Sequence, residues 1–199
     1  ILAGAAAVLF AAGIKFYWFL LGGGAMGLLL ALSMQGYQST RILVWKDPWA
    51  YRQEGGYQII QSLYAIGSGG LLGLGLGKSR QKFLYLPEPE NDFIFAIVCE
   101  ELGYIGAAVV ILLFVLLIIR GYWLAVHARD RFGALLVVGI TTLLAVQVFL
   151  NISVVTNLLP TTGISLPFFS YGGTALMIQL AEMGMVLSVS RQIPAPKQE

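Results

Sequence analysis

Long apolar runs separated by short polar segments dominate the chain. A helix needs roughly 20 apolar residues to cross a bilayer. Five stretches are candidates for such helices: 16–34, 57–75, 94–119, 133–157 and 171–190. A shorter apolar stretch, 1–13, is typical of a truncated sixth helix, so we expect the C-terminal portion of a longer protein. The pattern predicts an all-α fold, a polytopic transmembrane helical bundle with about five full spans plus one truncated span.

The composition excludes several other protein classes. Of the 199 residues, 58% are hydrophobic and 11% are charged, whereas a soluble domain carries roughly 25% charged residues. Membrane β-barrels alternate apolar and polar positions, but residues 107–119 are apolar throughout. A net charge of +2 gives no reason to expect nucleic acid as a partner. The single cysteine, Cys99, excludes a disulfide framework within the chain, and the single histidine, His127, cannot form a zinc site alone.

The basic residues predict the orientation of the bundle. Three connections, 35–56, 120–131 and the tail 191–199, hold eight of the 12 Lys and Arg residues. Cytoplasmic loops of membrane proteins are enriched in Lys and Arg, so we expect these three connections inside the cell. The connections 76–92 and 158–170 then face outward.

Segment 158–173 reads LLPTTGISLPFFSYGG and is unsuited to a regular helix. Proline removes a backbone donor, and glycine has a low helix propensity. The segment is nevertheless too apolar for an exposed loop. Because irregular backbone at membrane depth is tolerated only against protein or a water-filled cavity, we expect it to fold back and line one. A tight apolar outer turn is the alternative.

The predicted span 57–75 has a polar face. Residues near helical spacing on that face are Gln58, Gln61, Ser62 and Ser68. Such a face is expected to meet a cavity or another helix rather than lipid. Gly69, Gly73 and Gly77 follow at intervals of four residues, a pattern that permits close helix packing. A packing seam and a helix that can move are equally compatible with this pattern.

Two carboxylates, Glu100 and Glu101, lie inside the predicted span 94–119. An unpaired carboxylate costs about 2.5–3.5 kcal/mol at the centre of a membrane helix. These residues are therefore expected to face a partner or a cavity. They could anchor helix packing or carry protons, and the sequence leaves both roles open.

Charged residues are concentrated between residues 78 and 92. Three cations, Lys78, Arg80 and Lys82, run against the positive-inside trend if this connection faces outward, and a bound phosphate group would explain them. Acidic residues follow these cations, and the last of them, Asp92, lies where the next apolar run begins. A carboxylate there can act as a general base toward a sugar hydroxyl, or it can cap the N-terminus of the next helix. Both interpretations stay open at this point.

Three separated motifs resemble one family. They are RILVWKDPW at 41–49, GGYQIIQSLYAIGSGGLLGLGLGKSRQKFLYLPEPENDFIFAIVCEELG at 55–103, and LLPTTGISLPFFSYGG at 158–173. In this order they are similar to the SEDS family of bacterial cell-wall proteins, the FtsW/RodA/SpoVE group. Family members have ten transmembrane helices, so the resemblance implies that the chain holds roughly the last five and a half. The string PEPENDF favours the FtsW and SpoVE members.

The resemblance implies a peptidoglycan glycosyltransferase in the bacterial plasma membrane, with several spans and an active site on the outer face. SEDS proteins join lipid II units, release undecaprenyl diphosphate into the membrane lipids, and work with a class B penicillin-binding protein. The essential aspartate of the family motif PE-x-x-x-DF falls on Asp92. Two departures are Asn91, where threonine is usual, and Asn157, where glycine is common.

The resemblance and the chemistry of the residues together predict roles for particular residues. Asp92 is the expected catalytic base for one inverting attack of the acceptor sugar on the donor. The expected substrate-binding residues are Lys78, Arg80, Lys82, Glu88, Gln147 and Asn151. The cations, or a divalent cation such as Mg²⁺ or Mn²⁺, would stabilise the departing diphosphate, whereas anionic lipid head groups are the alternative ligand for the cations. The alternative functions are a lipid II flippase and a non-catalytic scaffold for the penicillin-binding protein.

Overall fold

The computed structural model describes residues 2–14, 37–79 and 92–193, which form helices and irregular segments without a β-strand. Six α-helices lie within these residues: α1 (Leu2–Ala11), α2 (Tyr37–Lys46), α3 (Tyr57–Ser68), α4 (Ile94–Val126), α5 (Arg131–Val155) and α6 (Gly173–Ser190). A π-helical turn, Arg52–Gly56, leads directly into α3. The predicted all-α fold is confirmed.

Three of the described helices, α4, α5 and α6, are long and apolar enough to cross a membrane. Large apolar side chains on them, such as Leu113 and Leu187, are exposed, which suits contact with lipid tails. Helix α4 continues to Val126, beyond the predicted end at residue 119. The predicted span 16–34 lies outside the described residues.

The chain divides into two compact units. The first consists of three stretches: Ile1–Gly27, Phe114–Val146 and Gly173–Glu199. Small residues let its helices approach closely: a Cβ on Gly4 of α1 would lie 3.4 Å from the carbonyl oxygen of Gly139 in α5, and a Cβ on Gly121 of α4 would overlap the hydroxyl of Thr141. The core of this unit is aliphatic and comprises Leu124, Ala125, Val137, Ile140, Val186 and Val189.

The second unit, Leu28–Leu113 and Gln147–Gly172, contains α2, α3, the first part of α4 and the last part of α5. Helix α2 ends just before Asp47, whose carboxylate accepts hydrogen bonds from the backbone N–H groups of Trp49 and Ala50 at 3.2 and 3.1 Å. An aspartate in this position competes with helical bonding and favours a turn. The chain therefore turns here toward α3.

Helix α3 is too short to cross a bilayer. Its 12 residues rise about 18 Å, whereas the hydrocarbon core is about 30 Å thick. The helix ends at Ser68 rather than at the predicted residue 75. The glycines that follow explain this end, since Gly70 and Gly73 adopt positive φ angles of 53° and 77°, which are incompatible with a right-handed helix.

The glycine-rich segment after α3 reverses the direction of the chain. A Cβ on Gly69 would overlap the carbonyl oxygen of Cys99 in α4, so the two backbones are in contact there. The chain has turned back by Ser79, whose hydroxyl donates a hydrogen bond to the Glu100 carboxylate. Residues 57–79 thus form a re-entrant hairpin, in place of the crossing helix that the apolar pattern predicts.

Helix α4 is interrupted at Gly103, whose φ of 68° and ψ of −173° are non-helical. The break leaves backbone groups without helical partners, and the glycine-rich segment supplies them. The N–H groups of Leu74 and Gly75 donate to the carbonyls of Glu100 and Glu101, and those of Tyr104 and Ile105 donate to the carbonyls of Gly70 and Leu71, at 2.9–3.3 Å. Because an unsatisfied backbone group in lipid costs several kcal/mol, the break and the hairpin stabilise each other.

The described part of the connection 35–56 lies beside the segment 158–170, contrary to the predicted orientation. Arg41 Nη1 donates a hydrogen bond to the carbonyl oxygen of Thr161 at 2.8 Å. The prediction is wrong because it treats 57–75 as a crossing helix, whereas a re-entrant hairpin returns to the side from which it starts. The connection 35–56, with Arg41, Lys46 and Arg52, therefore moves to the same side as the segment 158–170. This change removes the charge asymmetry on which the predicted orientation depends.

Replacing Gly103 with alanine should destabilise the protein strongly. A Cβ there would overlap the backbone of Leu71 and Gly73, and alanine would have to adopt a positive φ. We expect a loss of about 3 kcal/mol or more in the free energy of unfolding, measured by thermal unfolding in detergent. Gly67→Ala is the matched control, because a Cβ on Gly67 meets no atom within 4 Å. Similar unfolding midpoints for the two variants would contradict the account of the break.

Candidate active site

A polar cavity of about 170 Å³ lies within the second unit. Its wall is formed by α2, the π-helical turn, α3, the two residues before α4, the end of α5 and the segment 156–172. The lining residues with polar side chains are Thr40, Arg41, Gln58, Asp92 and Thr161. Among the described residues of this wall, Asp92 is the only carboxylate and Arg41 the only cation.

Asp92 lies at the wall of the cavity, just before α4 begins. Its neighbour Phe93 is 4% exposed and anchors the start of the helix. The carboxylate oxygen Oδ2 faces Gly163, where a Cβ would lie 3.6 Å away. A larger side chain at position 163 would occupy the space in front of the carboxylate, so glycine keeps this part of the cavity open.

Asn151 holds two backbone segments of the site, one at Asp92 and one at Ile164. This residue of α5 is 1% exposed, and its Nδ2 donates hydrogen bonds to the carbonyl oxygens of Asp92 and Ile164, each at 2.8 Å. A buried carbonyl without a donor costs about 1–3 kcal/mol. The amide of Asn151 therefore ties the start of α4 to the segment 156–172 and positions Asp92 within the cavity.

Helix α2 is attached to the same segment by two side chains. Arg41 donates to the carbonyl of Thr161 at 2.8 Å, and Trp45, one turn later, donates from Nε1 to the carbonyl of Asn157 at 3.1 Å. Asn157 has a φ of 58°, in the left-handed region that asparagine tolerates better than most residues other than glycine. The turn is thus maintained although asparagine replaces the glycine that is common there.

The segment 156–172 is irregular and folds back toward the protein. Residues Thr161, Gly163 and Ile164 line the cavity, and Leu166 is 1% exposed. Ile164 has returned to the level of Asn151, about one turn before the end of α5. The expectation that this part of the chain lines a cavity is confirmed.

The structure separates the predicted site residues. Asp92 lines the cavity and Asn151 lies directly behind it, with its amide bonded to backbone carbonyls. Gln147 lies one turn earlier on α5, half-buried and outside the cavity wall. Lys78 is exposed and also outside the wall. The other predicted residues, Arg80, Lys82 and Glu88, lie outside the described residues.

Sequence reasoning misses four polar residues of the wall: Thr40, Arg41, Gln58 and Thr161. It treats Arg41 as a topological charge and Gln58 as part of a packing face. Their position within a motif could have identified two of them as site residues. Arg41 begins RILVWKDPW, and Gln58 lies in the long run 55–103. Polar residues inside a family motif are candidates for a site even when a topological role explains them.

The described residues offer few ligands for the divalent cation named above. No group of three or more His, Cys, Asp or Glu side chains occurs among them. Mg²⁺ usually binds one or two carboxylates together with waters and substrate phosphates, and the described cavity wall offers Asp92 alone. A requirement for Mg²⁺ or Mn²⁺ stays a prediction.

These observations define a helical membrane protein whose re-entrant segments enclose a polar cavity with one carboxylate and one guanidinium. The chain belongs to the FtsW/RodA/SpoVE family of cell cycle proteins, whose sequence model matches residues 1–194. Family membership confirms the resemblance carried by the three motifs.

Two curated relatives illustrate the similarity. The chain is 52% identical over 168 residues to stage V sporulation protein E of Bacillus subtilis, which covers 84% of this chain and 45% of the relative. It is 45% identical over 195 residues to a probable peptidoglycan glycosyltransferase FtsW of Geobacter sp. (strain M18), which covers 96% of this chain and 53% of the relative. The chain thus spans about half the length of these relatives.

Two solved structures share the fold. A structure of a peptidoglycan synthase complex, described as coordinating polymerization and crosslinking, matches with a TM-score of 0.76 and 31% identity over 98% of this chain and 55% of that chain. The rod shape determining protein RodA of Thermus thermophilus matches with a TM-score of 0.61 and 29% identity over 98% of this chain and 48% of that chain.

Replacing Asn151 with alanine should destabilise the second unit, because the carbonyls of Asp92 and Ile164 would lose their donor. We expect a loss of about 2 kcal/mol or more in the free energy of unfolding, measured by thermal unfolding in detergent. The control is Gln147→Ala, one turn earlier on the same helix, for which we expect a change within about 1 kcal/mol. Equal losses in the two variants would rule out a special role for the Asn151 amide.

Proposed function

We propose that this protein is a peptidoglycan glycosyltransferase that joins the disaccharide units of lipid II into glycan strands. The observation that carries the proposal is the Asp92 carboxylate, held by Asn151 at the wall of a polar cavity that also contains Arg41. Two further facts support it. Asp92 falls on the essential aspartate of the family motif, and a relative 45% identical to the chain is named a probable peptidoglycan glycosyltransferase.

The proposed reaction needs a base and a stabilised leaving group. The C4 hydroxyl of the acceptor sugar attacks C1 of the donor sugar, and a new C–O bond forms while the bond from C1 to the diphosphate oxygen breaks. Asp92 accepts the hydroxyl proton as general base, and undecaprenyl diphosphate leaves with the bonding electron pair. One such displacement converts the α-linked donor into a β-linked product.

Arg41 is the proposed source of positive charge within the cavity. Negative charge develops on the departing diphosphate, and a fixed guanidinium stabilises such charge. The hydrogen bond from Nη1 to the Thr161 carbonyl orients the guanidinium before substrate arrives. The hydroxyl of Thr40 and the amide of Gln58 are groups that can bond to sugar hydroxyls.

A second group of cations is proposed to bind the diphosphate outside the cavity wall. It comprises Lys78, Arg80 and Lys82, whose ammonium and guanidinium groups suit phosphate oxygens. Anionic lipid head groups are the alternative ligand. In both cases the shared chemistry is a phosphate oxygen that accepts a charge-assisted hydrogen bond.

We place the active site on the outer face of the bacterial plasma membrane, where the product of this reaction is used. We also propose a class B penicillin-binding protein as the partner that cross-links the product. The synthase complex that shares this fold supports such an assembly, since polymerization and crosslinking are coordinated in it.

Asp92→Asn should strongly slow the polymerisation of lipid II by the complete gene product. Removal of a general base typically lowers a rate by about 10²–10⁴-fold, and we expect that loss in kcat. The measurement is the amount of glycan strand formed from labelled lipid II by the purified protein with its penicillin-binding partner. Asp130→Asn is the control, because this aspartate lies in the connection between α4 and α5 and bonds to the backbone of Gly133.

The same variant separates the alternative functions. Polymerisation by Asp92→Asn at the wild-type rate would overturn the proposal. A flippase would lose lipid II translocation in that variant, and a scaffold would support growth without the carboxylate. A glycosyltransferase loses polymerisation while its complex with the penicillin-binding protein still forms.

The proposed orientation predicts the labelling of two single-cysteine variants. Lys78 and Arg129 are both exposed and are separated along the chain by α4. In a Cys99→Ala background, a membrane-impermeant maleimide applied to intact cells should modify Lys78→Cys and should reach Arg129→Cys only after permeabilisation. The Cys99→Ala protein without either introduced cysteine is the control, and Cys99 itself is buried. The opposite pattern would place the cavity on the cytoplasmic face.

A further inference from the structure

The first part of α4 is a short element whose direction is not set by the rest of the helix. Gly103 interrupts α4, so residues 94–102 are separated from the long apolar part by a non-helical turn. Asp92 lies directly before this short part. Its position therefore depends on what holds the short part at each end.

One end is held by Asn151, which bonds to the backbone of Asp92. The other end is held by the backbone of the hairpin, through the N–H groups of Leu74 and Gly75, and by the side chain of Ser79. Its hydroxyl donates a hydrogen bond to Oε2 of Glu100, and its backbone N–H donates to Oε1 of Glu101 at 3.4 Å. Glu100 is 1% exposed, so this carboxylate is bonded inside the protein and not in water.

The two contacts lie far apart along the short part of α4, so a change at Glu100 can move Asp92. Eight residues separate Asp92 from Glu100 in the sequence, which corresponds to about 12 Å along a helix. A small tilt about one end is therefore enough to displace the other by an appreciable fraction of an ångström. A displacement of about 1 Å in an active site can lower a rate by about 100-fold.

We propose that Ser79 and Glu100 are positioning residues for Asp92, an inference that rests on the proposed function. Their hydrogen bond adds to the backbone pairing between the re-entrant hairpin and the short part of α4 and adjusts its tilt, so that the carboxylate of Asp92 faces the cavity. Neither residue lines the cavity, so both act through the helix and not through the substrate.

The proposed role favours one of the two interpretations of Glu100, which is buried. A proton carrier needs further titratable groups along a path, whereas a packing anchor needs a donor from a neighbouring segment. Ser79 is such a donor, and it lies at the end of the hairpin whose backbone already pairs with the break in α4. Glu100 therefore anchors packing.

Ser79→Ala is the test, in the complete gene product assayed with labelled lipid II. Displacement of the general base should lower activity by about 10–100-fold. We expect this fall in kcat with KM for lipid II changed by less than about twofold, because a general base contributes to the transition state and not to ground-state binding. Ser79→Thr restores the hydroxyl and should recover most of kcat. Glu100→Gln, which keeps an acceptor oxygen, should retain more activity than Glu100→Ala.

Ser68→Ala is the matched control, since its hydroxyl bonds within α3 to the carbonyl of Ala65 at 3.0 Å. It should keep wild-type kcat. The proposal is overturned if Ser79→Ala keeps wild-type kcat, if Ser79→Thr fails to restore it, or if kcat falls only in proportion to a lowered unfolding temperature. These outcomes are distinct from failure of the proposed function, which wild-type activity in Asp92→Asn would reveal.

Discussion

Backbone hydrogen bonding at the break in α4 is the interaction on which the rest of the second unit depends. Lipid tails offer no partner to a peptide group, so the non-helical turn at Gly103 requires one from the protein. The hairpin 57–79 provides it. The approach is possible because Gly69, Gly73 and Gly103 lack a Cβ, which would overlap the facing backbone at each position. These hydrogen bonds between the hairpin and α4 set the return path of the hairpin and the direction of the helix that follows Asp92.

The polar side chains of the unit are used mainly to hold backbone in place. Asn151 binds two carbonyls, Trp45 binds that of Asn157, and Ser62 donates to the carbonyl of Val155 at 2.8 Å. The carbonyls at the end of a helix lack helical partners. Ser62 and Trp45 donate to two carbonyls at or just after the end of α5. The hydrogen bonds of Asn151 and Arg41 hold the backbone of Asp92 and the guanidinium of Arg41 in place beside the cavity before a ligand binds. Such preorganisation is what electrostatic catalysis requires.

The three motifs that carry the family resemblance converge on one place. The motif at 41–49 contributes Arg41, the run 55–103 contributes Asp92 with its supporting hairpin, and the segment 158–173 contributes the opposite wall. Their similarity to the family is therefore similarity of a single site, although long stretches of chain separate them. The chain spans about half the length of its relatives. It nevertheless contains this cavity, because all three motifs lie within that half.

The sequence by itself determined the properties that are local. Apolar run length predicted an all-α membrane protein, proline and glycine content predicted an irregular segment at 158–173 that lines a cavity, and a short motif singled out Asp92. Apolar length could not distinguish a crossing helix from the hairpin 57–79, because the difference depends on backbone partners in α4 about thirty residues away. Only the tertiary structure decided that Arg41 shares the cavity with Asp92 while Lys78 does not. The physical reason is that the reversal of the hairpin, which long-range hydrogen bonds determine, sets which loops meet.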